Sequence, residues 1–449
     1  MAARHCRLRQ NHCPGPHSAP DNHRLPCSGD DQYGYSDRNR SLDIQRDIGM
    51  PLRRKYLTQD CILGKALSPF PLTNCSVSIT IFSMSDPLSN GTLNSAIVGC
   101  GVIAPTHADA LRSLHAEGAR LVAFADEVPA RAEALAAKYG AEAKTFEAVL
   151  ADPSIDSVHV CVPSGLHAAL GVRALKAGKH VIVEKPMDIT LEACDALLAA
   201  QRESGKRLAV ISQHRFDKAS IDVKAALETN LLGKMVYADA QVPWYRSQEY
   251  YDSGDWRGTW ALDGGGALMN QGVHTADLLR WLCGPVETVY AQARTLAHER
   301  IETEDVLAAT LTFASGAIGI LMASTALYPG FAVKIGVYGT GGSAIIEGDM
   351  LHTLTTKSGV HGGGEAARAS ALQVATGGTK AATEAVSGAA AASDPAAIWG
   401  GAHEAQIADF LRCCRTGATP IVDGVEGRKA VEVVLAVYES ARSGQVVKL

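Results

Sequence analysis

Two patterns predict an α/β protein in which a doubly wound parallel sheet is followed by a second α/β unit with an open, mainly antiparallel sheet. From about 93 to 212 short apolar runs alternate with helical patterns, and beyond Lys234 the runs lengthen and alternate in polarity. Apolar strands joined by helices form a parallel sheet covered on both faces. Alternating strands form an antiparallel sheet with one buried face.

SAIVGCG opens the first unit, followed by a helix to His115, LVAFAD, a helix to Tyr139, SVHVCVP, a helix to Ala177, HVIVEKP, a helix to Arg202 and RLAVISQ. The second unit's strands are MVYADAQV, ETVYAQARTL, DVLAATLTF, AIGILMAS and AVKIGVYGT. Helical patterns in HEAQIADFLRCCRTG and VEGRKAVEVVLAVYESARSG close the fold. The expected domains are 93–212 and 213–449.

Two segments are expected to stand apart. Residues 1–90 contain no Glu, are rich in Arg, His, Pro and Cys, and show no sustained periodicity, so they are expected to be a disordered or non-native extension. Met84, just before the first strand, is an alternative start. The spacing of His5, Cys6, His12, Cys13 and their neighbours fits no zinc pattern, and no metal is expected. The Arg-rich, acid-free first ten residues suit a targeting peptide, but the later aspartates and prolines do not. Residues 357–396, dominated by Ala, Gly, Ser and Thr, are expected to form a mobile insertion.

The chain of 449 residues is 47% hydrophobic and carries a formal charge of −5. That charge offers no field for nucleic acid or an anionic membrane, and no apolar run approaches the roughly 20 residues of a membrane span. Small-molecule chemistry is the expectation. Five of the eleven cysteines fall in the first 90 residues, and Cys100, Cys161 and Cys194 occupy core-type positions without CxxC spacing. This usage suits a reducing cytoplasm.

In SAIVGCGVIA an apolar strand runs into Gly99, Gly101 and Ala104. A dinucleotide's pyrophosphate needs that order: Gly99 for the tight turn, Gly101 for close backbone approach, and Ala104 for helix packing. Val102 and Ile103 complete the turn, and the phosphates would lie at the following helix N-terminus. Asp126 ends LVAFAD 25 residues beyond Gly101, where it would accept a ribose 2′-OH and repel a 2′-phosphate. This Rossmann arrangement favours NAD over NADP, with Pro163 and Glu184 as further cofactor contacts.

HVIVEKP places Lys185 at a carboxyl-edge strand end. There its ammonium would hydrogen-bond a substrate hydroxyl or orient the nicotinamide ribose; the alternative is a solvated lysine held near Glu184. In DGGGALMNQGVHTADLLRWLCG, Asn270 and His274 stand four apart on one predicted helix face, with Asp277 close to it. His274 is the candidate general acid/base, because imidazole titrates near neutrality; a structural histidine is the alternative. Three of the five tryptophans fall within VPWYRSQEYYDSGDWRGTW. Trp244, Tyr245 and Arg246 are taken as substrate-facing, together with Arg257, since aromatic faces suit sugars and arginine forks suit hydroxyls, carboxylates or phosphates. His167 and His214 occupy predicted sheet-edge loops, open to a structural or a cleft-lining role.

GCGVIA, EKP, WRGTWALDGGGALMNQGVHTADLL and EGRKAVEVVLAVYESARSG together resemble the Gfo/Idh/MocA oxidoreductases over residues 93 to 449. The resemblance implies NAD(P)-linked redox of a sugar or cyclitol carbinol, and a homodimer or homotetramer built through the second sheet. It identifies Lys185 with the family's lysine near nicotinamide and substrate, often before a cis proline, and His274 with its catalytic histidine. Many members carry Asp where this chain has Asn270, which positions a hydroxyl but relays no proton. The leading expectation is a cytoplasmic dehydrogenase of a sugar, sugar derivative or inositol. The alternatives are a reductase of an aldehyde, imine or enol ether, and a non-catalytic regulator that binds dinucleotide or sugar.

Overall fold

The computed structural model describes residues 91–362 and 401–449. The first sheet takes β1 (Leu93–Val98), β2 (Ala119–Ala125), β3 (Glu142–Ala143), β4 (Ser157–Val160), β5 (His180–Val183) and β6 (Leu208–Val210). All are parallel, in the order β3-β2-β1-β4-β5-β6. The connecting helices are α1 (Ala104–Ser113), α2 (Pro129–Tyr139), α3 (Phe146–Ala151), α4 (His167–Lys176) and α5 (Leu191–Ser204). Local chemistry sets their ends. Pro129 opens α2, Thr190 caps α5 by accepting from Ala193 N–H, and glycines in the left-handed region end both. The order reverses between β1 and β4, which opens a crevice at their carboxyl ends.

After α6 (Lys218–Glu228) come β7 (Met235–Pro243), a short α7 (Gln248–Asp252) and α8 (Val273–Cys283). The remaining strands are β8 (Val286–Arg294), β9 (Val306–Phe313), β10 (Ile318–Ser324), β11 (Lys334–Gly339), β12 (Gly342–Glu347), β13 (Met350–Thr356), β14 (Gly359–Gly362) and β15 (Val447–Lys448). They form one nine-stranded sheet, ordered β14-β13-β12-β11-β7-β10-β9-β8-β15, antiparallel except for β7 against β10. One face packs on α8 and the closing helix Gly424–Ser443, whose core includes Phe313, Leu321 and Val437. The other face leaves Tyr290, Ile318 and Ile320 exposed.

The first residues of the segment 357–396, expected to be a mobile insertion, are instead part of the sheet. Gly359 pairs with Thr356 across a tight turn, so β14 extends the sheet; residues 363–396, like residues 1–90, lie outside the described residues. Among the described residues no helix is long and apolar enough to cross a membrane, and the six cysteines are free thiols.

A buried ion network joins the two sheets' layers. Arg215, in the turn after β6, donates to Asp277 of α8 through Nε at 2.7 Å and Nη2 at 2.5 Å, and through Nη1 to Glu426 at 3.0 Å. Asp277, one turn beyond His274, thus fixes α8 against the first sheet's carboxyl edge.

Candidate active site

Gly99 leaves β1 with φ +92°, and a Cβ there would lie 2.4 Å from the carbonyl oxygen of Cys161, which follows β4. Backbone conformation and backbone proximity both demand glycine at this switch point. A Cβ on Gly101 would meet no atom within 4 Å, so the loop faces open space. Asp126 ties the strand end to that loop: Oδ2 accepts from Cys100 N–H at 2.7 Å and Oδ1 from Val128 N–H at 2.8 Å.

These residues form one end of a cavity of about 1610 Å³ that runs between the two sheets. Gly99, Gly101, Val102, Ile103, Asp126 and Pro163 line that end, with Glu184 and Lys185 further along. Trp244, Arg246, Arg257, Asn270 and His274 line the other end. Tyr245, expected to face substrate, is not on the wall. Side chains alternate along an extended chain, so Trp244 and Arg246 turn inward while the Tyr245 ring packs edge-on against Tyr328, centroids 5.2 Å apart. Trp260 likewise packs on Tyr438, outside the cavity. His167 is structural, its ring nitrogens 2.7 Å from the Pro186 carbonyl and 2.8 Å from that of Val162. His214 does line the cavity.

Lys185 precedes Pro186 through a cis peptide bond, and its Nζ donates to the Asn270 main-chain carbonyl at 2.9 Å. Burial lowers its pKa, opposed by the charges of Glu184 and Asp263 and assisted by those of Arg257 and Arg246. Beneath it, Glu184 is enclosed by histidines. His107 Nε2 lies 3.0 Å and His403 Nε2 3.5 Å from Glu184 Oε1, and His107 Nδ1 meets His159 Nδ1 at 2.9 Å. Burial alone would raise the Glu184 pKa, but the two rings outweigh it and hold the carboxyl well below the usual range. An anionic Glu184 only accepts, so His107 and His403 each present an N–H at Nε2, while His107 Nδ1 and His159 Nδ1 share one hydrogen bond. His159 Nε2 and His403 Nδ1 are buried without partners. Lys185 thus stands over a fixed anion.

Asn270 lies in a π-helical turn, Ala267–Gly272, that runs into α8. The sequence suggests one regular helix; the wider turn arises because Glu304 accepts both Gly266 N–H and Leu268 N–H at 2.9 Å, and Tyr438 donates to the same carboxylate. A Cβ on Gly266 would sit 1.8 Å from the Glu304 carbonyl oxygen, which accounts for the glycine run. Asn270 Nδ2 donates to Asp263 Oδ1 at 2.5 Å, and Gly258 N–H donates to Oδ2 at 2.9 Å. Since a carboxylate cannot donate, this bond turns the Asn270 carbonyl oxygen away from Asp263. Burial pushes the Asp263 pKa up to about 6.

His274 packs edge-on to His214, centroids 5.2 Å apart, and its Nδ1 is buried with no hydrogen-bond partner. Burial lowers its pKa well below the ordinary value, with the charges of Lys185 and His214 adding to the effect. His214 behaves oppositely. Burial works against its charge, yet Asp349 and Asp217 push its pKa up to about 9. A neutral imidazole therefore lies between two cations, and the cavity combines an ammonium, a proton acceptor and a glycine-walled anion cradle.

Sequence reasoning missed Asp263, Glu304, His107, His403 and the cavity residues Tyr250 and Gln271. For Asp263 a signal was available, as the carboxylate heading the glycine run. Tyr250 and Gln271 lie within the aromatic and glycine-run segments already singled out, whereas Glu304, His107 and His403 come from distant segments with no shared spacing.

Residues 93–212 match a family described as an oxidoreductase family with an NAD-binding Rossmann fold, and 221–345 match the GFO/IDH/MocA C-terminal domain. An inositol 2-dehydrogenase of Rhizobium meliloti is 33% identical over 263 residues, covering 57% of this chain and 76% of that protein. A scyllo-inositol 2-dehydrogenase (NAD(+)) of Bacillus subtilis is 28% identical over 360 residues, covering 79% and 95%. Among solved structures, the WlbA dehydrogenase of Bordetella pertussis in complex with NADH and UDP-GlcNAcA superimposes with a TM-score of 0.68 at 33% identity, covering 80% of this chain and 98% of that one.

Proposed function

The chain belongs to the GFO/IDH/MocA oxidoreductase family, and from that premise we propose that it is an NAD-dependent dehydrogenase of a secondary carbinol on a sugar, sugar derivative or cyclitol. The observation that carries this reading is the convergence of Lys185, His274 and the Gly99 turn on one cavity. Residues 93–212 hold the dinucleotide, and residues 213–449 hold substrate and form the oligomer.

The residues present fit NAD. The Gly99 turn leaves no room for a side chain while Gly101 faces open space, which suits a pyrophosphate, and the Asp126 carboxylate suits a ribose hydroxyl. Bound NAD supplies a hydride acceptor at the nicotinamide ring. The Lys185 ammonium donates to the carbinol oxygen and steadies the charge that grows there as its proton leaves. Neutral His274 takes that proton. The Asn270 side chain, held by Asp263, orients the hydroxyl. One carbinol C–H and one O–H break, and a carbonyl, the reduced nicotinamide and one proton on His274 result.

The exposed face bearing Tyr290, Ile318 and Ile320 suits a second copy of the chain, giving a homodimer or homotetramer. The free thiols suit a reducing cytoplasm. Initial rates of nicotinamide reduction, with NAD and NADP separately, across aldoses, anhydrosugars, inositols and nucleotide-linked sugars test the activity. Turnover with NAD on one class is expected; binding of NAD with no turnover in either direction would instead indicate a regulator.

A further inference from the structure

One cation in the wall of the cavity's substrate end, Arg257, has no carboxylate partner among the described residues. Resting on the dehydrogenase reading above, we propose that the substrate is a sugar acid whose carboxylate is received by the guanidinium of Arg257.

Arg257 lies over the rings of Tyr250 and Trp256, its Cζ 4.2 Å and 4.6 Å from their centroids. Stacking engages the flat face of a guanidinium and leaves its N–H edge for a planar two-oxygen acceptor. No such acceptor comes from the protein. Among the described residues, no carboxylate oxygen lies within 4.0 Å of Arg257, and its Nε is buried without a hydrogen-bond partner. Two of the nearby carboxylates are engaged elsewhere: Asp252 pairs with Arg300 at 2.6 Å, and Asp263 accepts from Gly258 and Asn270.

Arg257 is also not the only cation there. Arg246, only 4% exposed, lies over Trp244 and Tyr250, its Cζ 4.8 Å and 5.6 Å from their centroids, and both arginines are close enough to Lys185 to depress its pKa. A guanidinium such as that of Arg257, withdrawn from bulk water with no carboxylate beside it, loses hydration. Hydroxyl groups return little of that cost, whereas a carboxylate returns charge and two acceptors at once.

The test compares matched substrates on the full-length protein with NAD: D-glucose with D-glucuronate, D-galactose with D-galacturonate, UDP-glucose with UDP-glucuronate, plus myo-inositol and D-glucose 6-phosphate. At least one acid is expected to exceed its neutral partner at least tenfold in kcat/KM, and Arg257→Gln is expected to remove at least tenfold of that ratio. Calorimetric binding to the NADH-loaded protein gives a readout independent of turnover, with an acid bound and its affinity lost in Arg257→Gln. Neutral sugars or myo-inositol used as well as the acids would overturn the inference while leaving the dehydrogenase reading intact. Preference for the phosphate over every acid would overturn the carboxylate assignment, and so would calorimetry that finds no acid bound. Acid binding without turnover of anything would instead defeat the dehydrogenase reading and leave the carboxylate site standing.

Discussion

Replacing Lys185 with Met separates binding from chemistry. Methionine keeps the apolar stem, so the fold loses chiefly the Nζ hydrogen bond to the Asn270 carbonyl, a charge-assisted contact of about 1.5–3 kcal/mol. Glu184 is not stranded by the change, because His107, His403 and the residue-185 amide still donate to it. The active site loses more. In the proposed mechanism the developing alkoxide loses its ammonium, and a positioned proton-handling group of this kind is worth roughly 10²–10⁴ in rate, or about 3–5 kcal/mol of barrier. The assay is kcat from steady-state nicotinamide reduction beside the NAD dissociation constant from calorimetry. We expect kcat to fall at least 100-fold and the dissociation constant to move less than fivefold. Equal losses in both, or a kcat within tenfold of the parent, would refute the assigned role.

Three further outcomes follow from the same geometry. Asp126→Asn removes a charge that repels a 2′-phosphate by about 2 kcal/mol at ~8 Å and an effective dielectric near 20, so the NADP-to-NAD ratio of kcat/KM should rise roughly 30-fold; an unchanged ratio would contradict it. Gly99→Ala drives a methyl into the Cys161 carbonyl at positive φ, so the melting temperature should fall and NAD binding weaken together, and a variant unchanged in both would remove the switch-point argument. Asp263 takes up a proton as pH falls through about 6 and then no longer holds the Asn270 amide as a pure acceptor. kcat/KM should therefore decline below pH 6 in the parent, and that limb should be absent in Asp263→Asn; the same limb in both would assign it elsewhere.

Much of the fold was legible because its signals are local. Apolar runs, Gly99 and Gly101, and the break in strand character near Lys234 each follow from backbone or burial requirements within a few residues. Lys185 and His274 were legible for a related reason, since each lies at an element end that the topology must bring to the same crevice. The supporting residues were not. His403 lies 219 residues from Glu184, and Glu304 reaches the 267–272 turn from the start of β9, contacts that no spacing announces. The misplaced Tyr245 was within reach of sequence reasoning, because period-two alternation excludes it from a wall shared by Trp244 and Arg246. Asp263 adds the most to the site: a buried carboxylate that fixes the Asn270 amide.

The central claim is direct hydride transfer from a carbinol carbon in the Lys185–His274 cavity. Its most direct test uses the best substrate from the rate panel, deuterated at the carbon that becomes the carbonyl. The account predicts full retention of the label on one face of the reduced nicotinamide and a primary isotope effect on kcat/KM that grows in Lys185→Met as chemistry becomes limiting. Loss of the label to solvent would contradict it, as would an isotope effect of unity in both proteins.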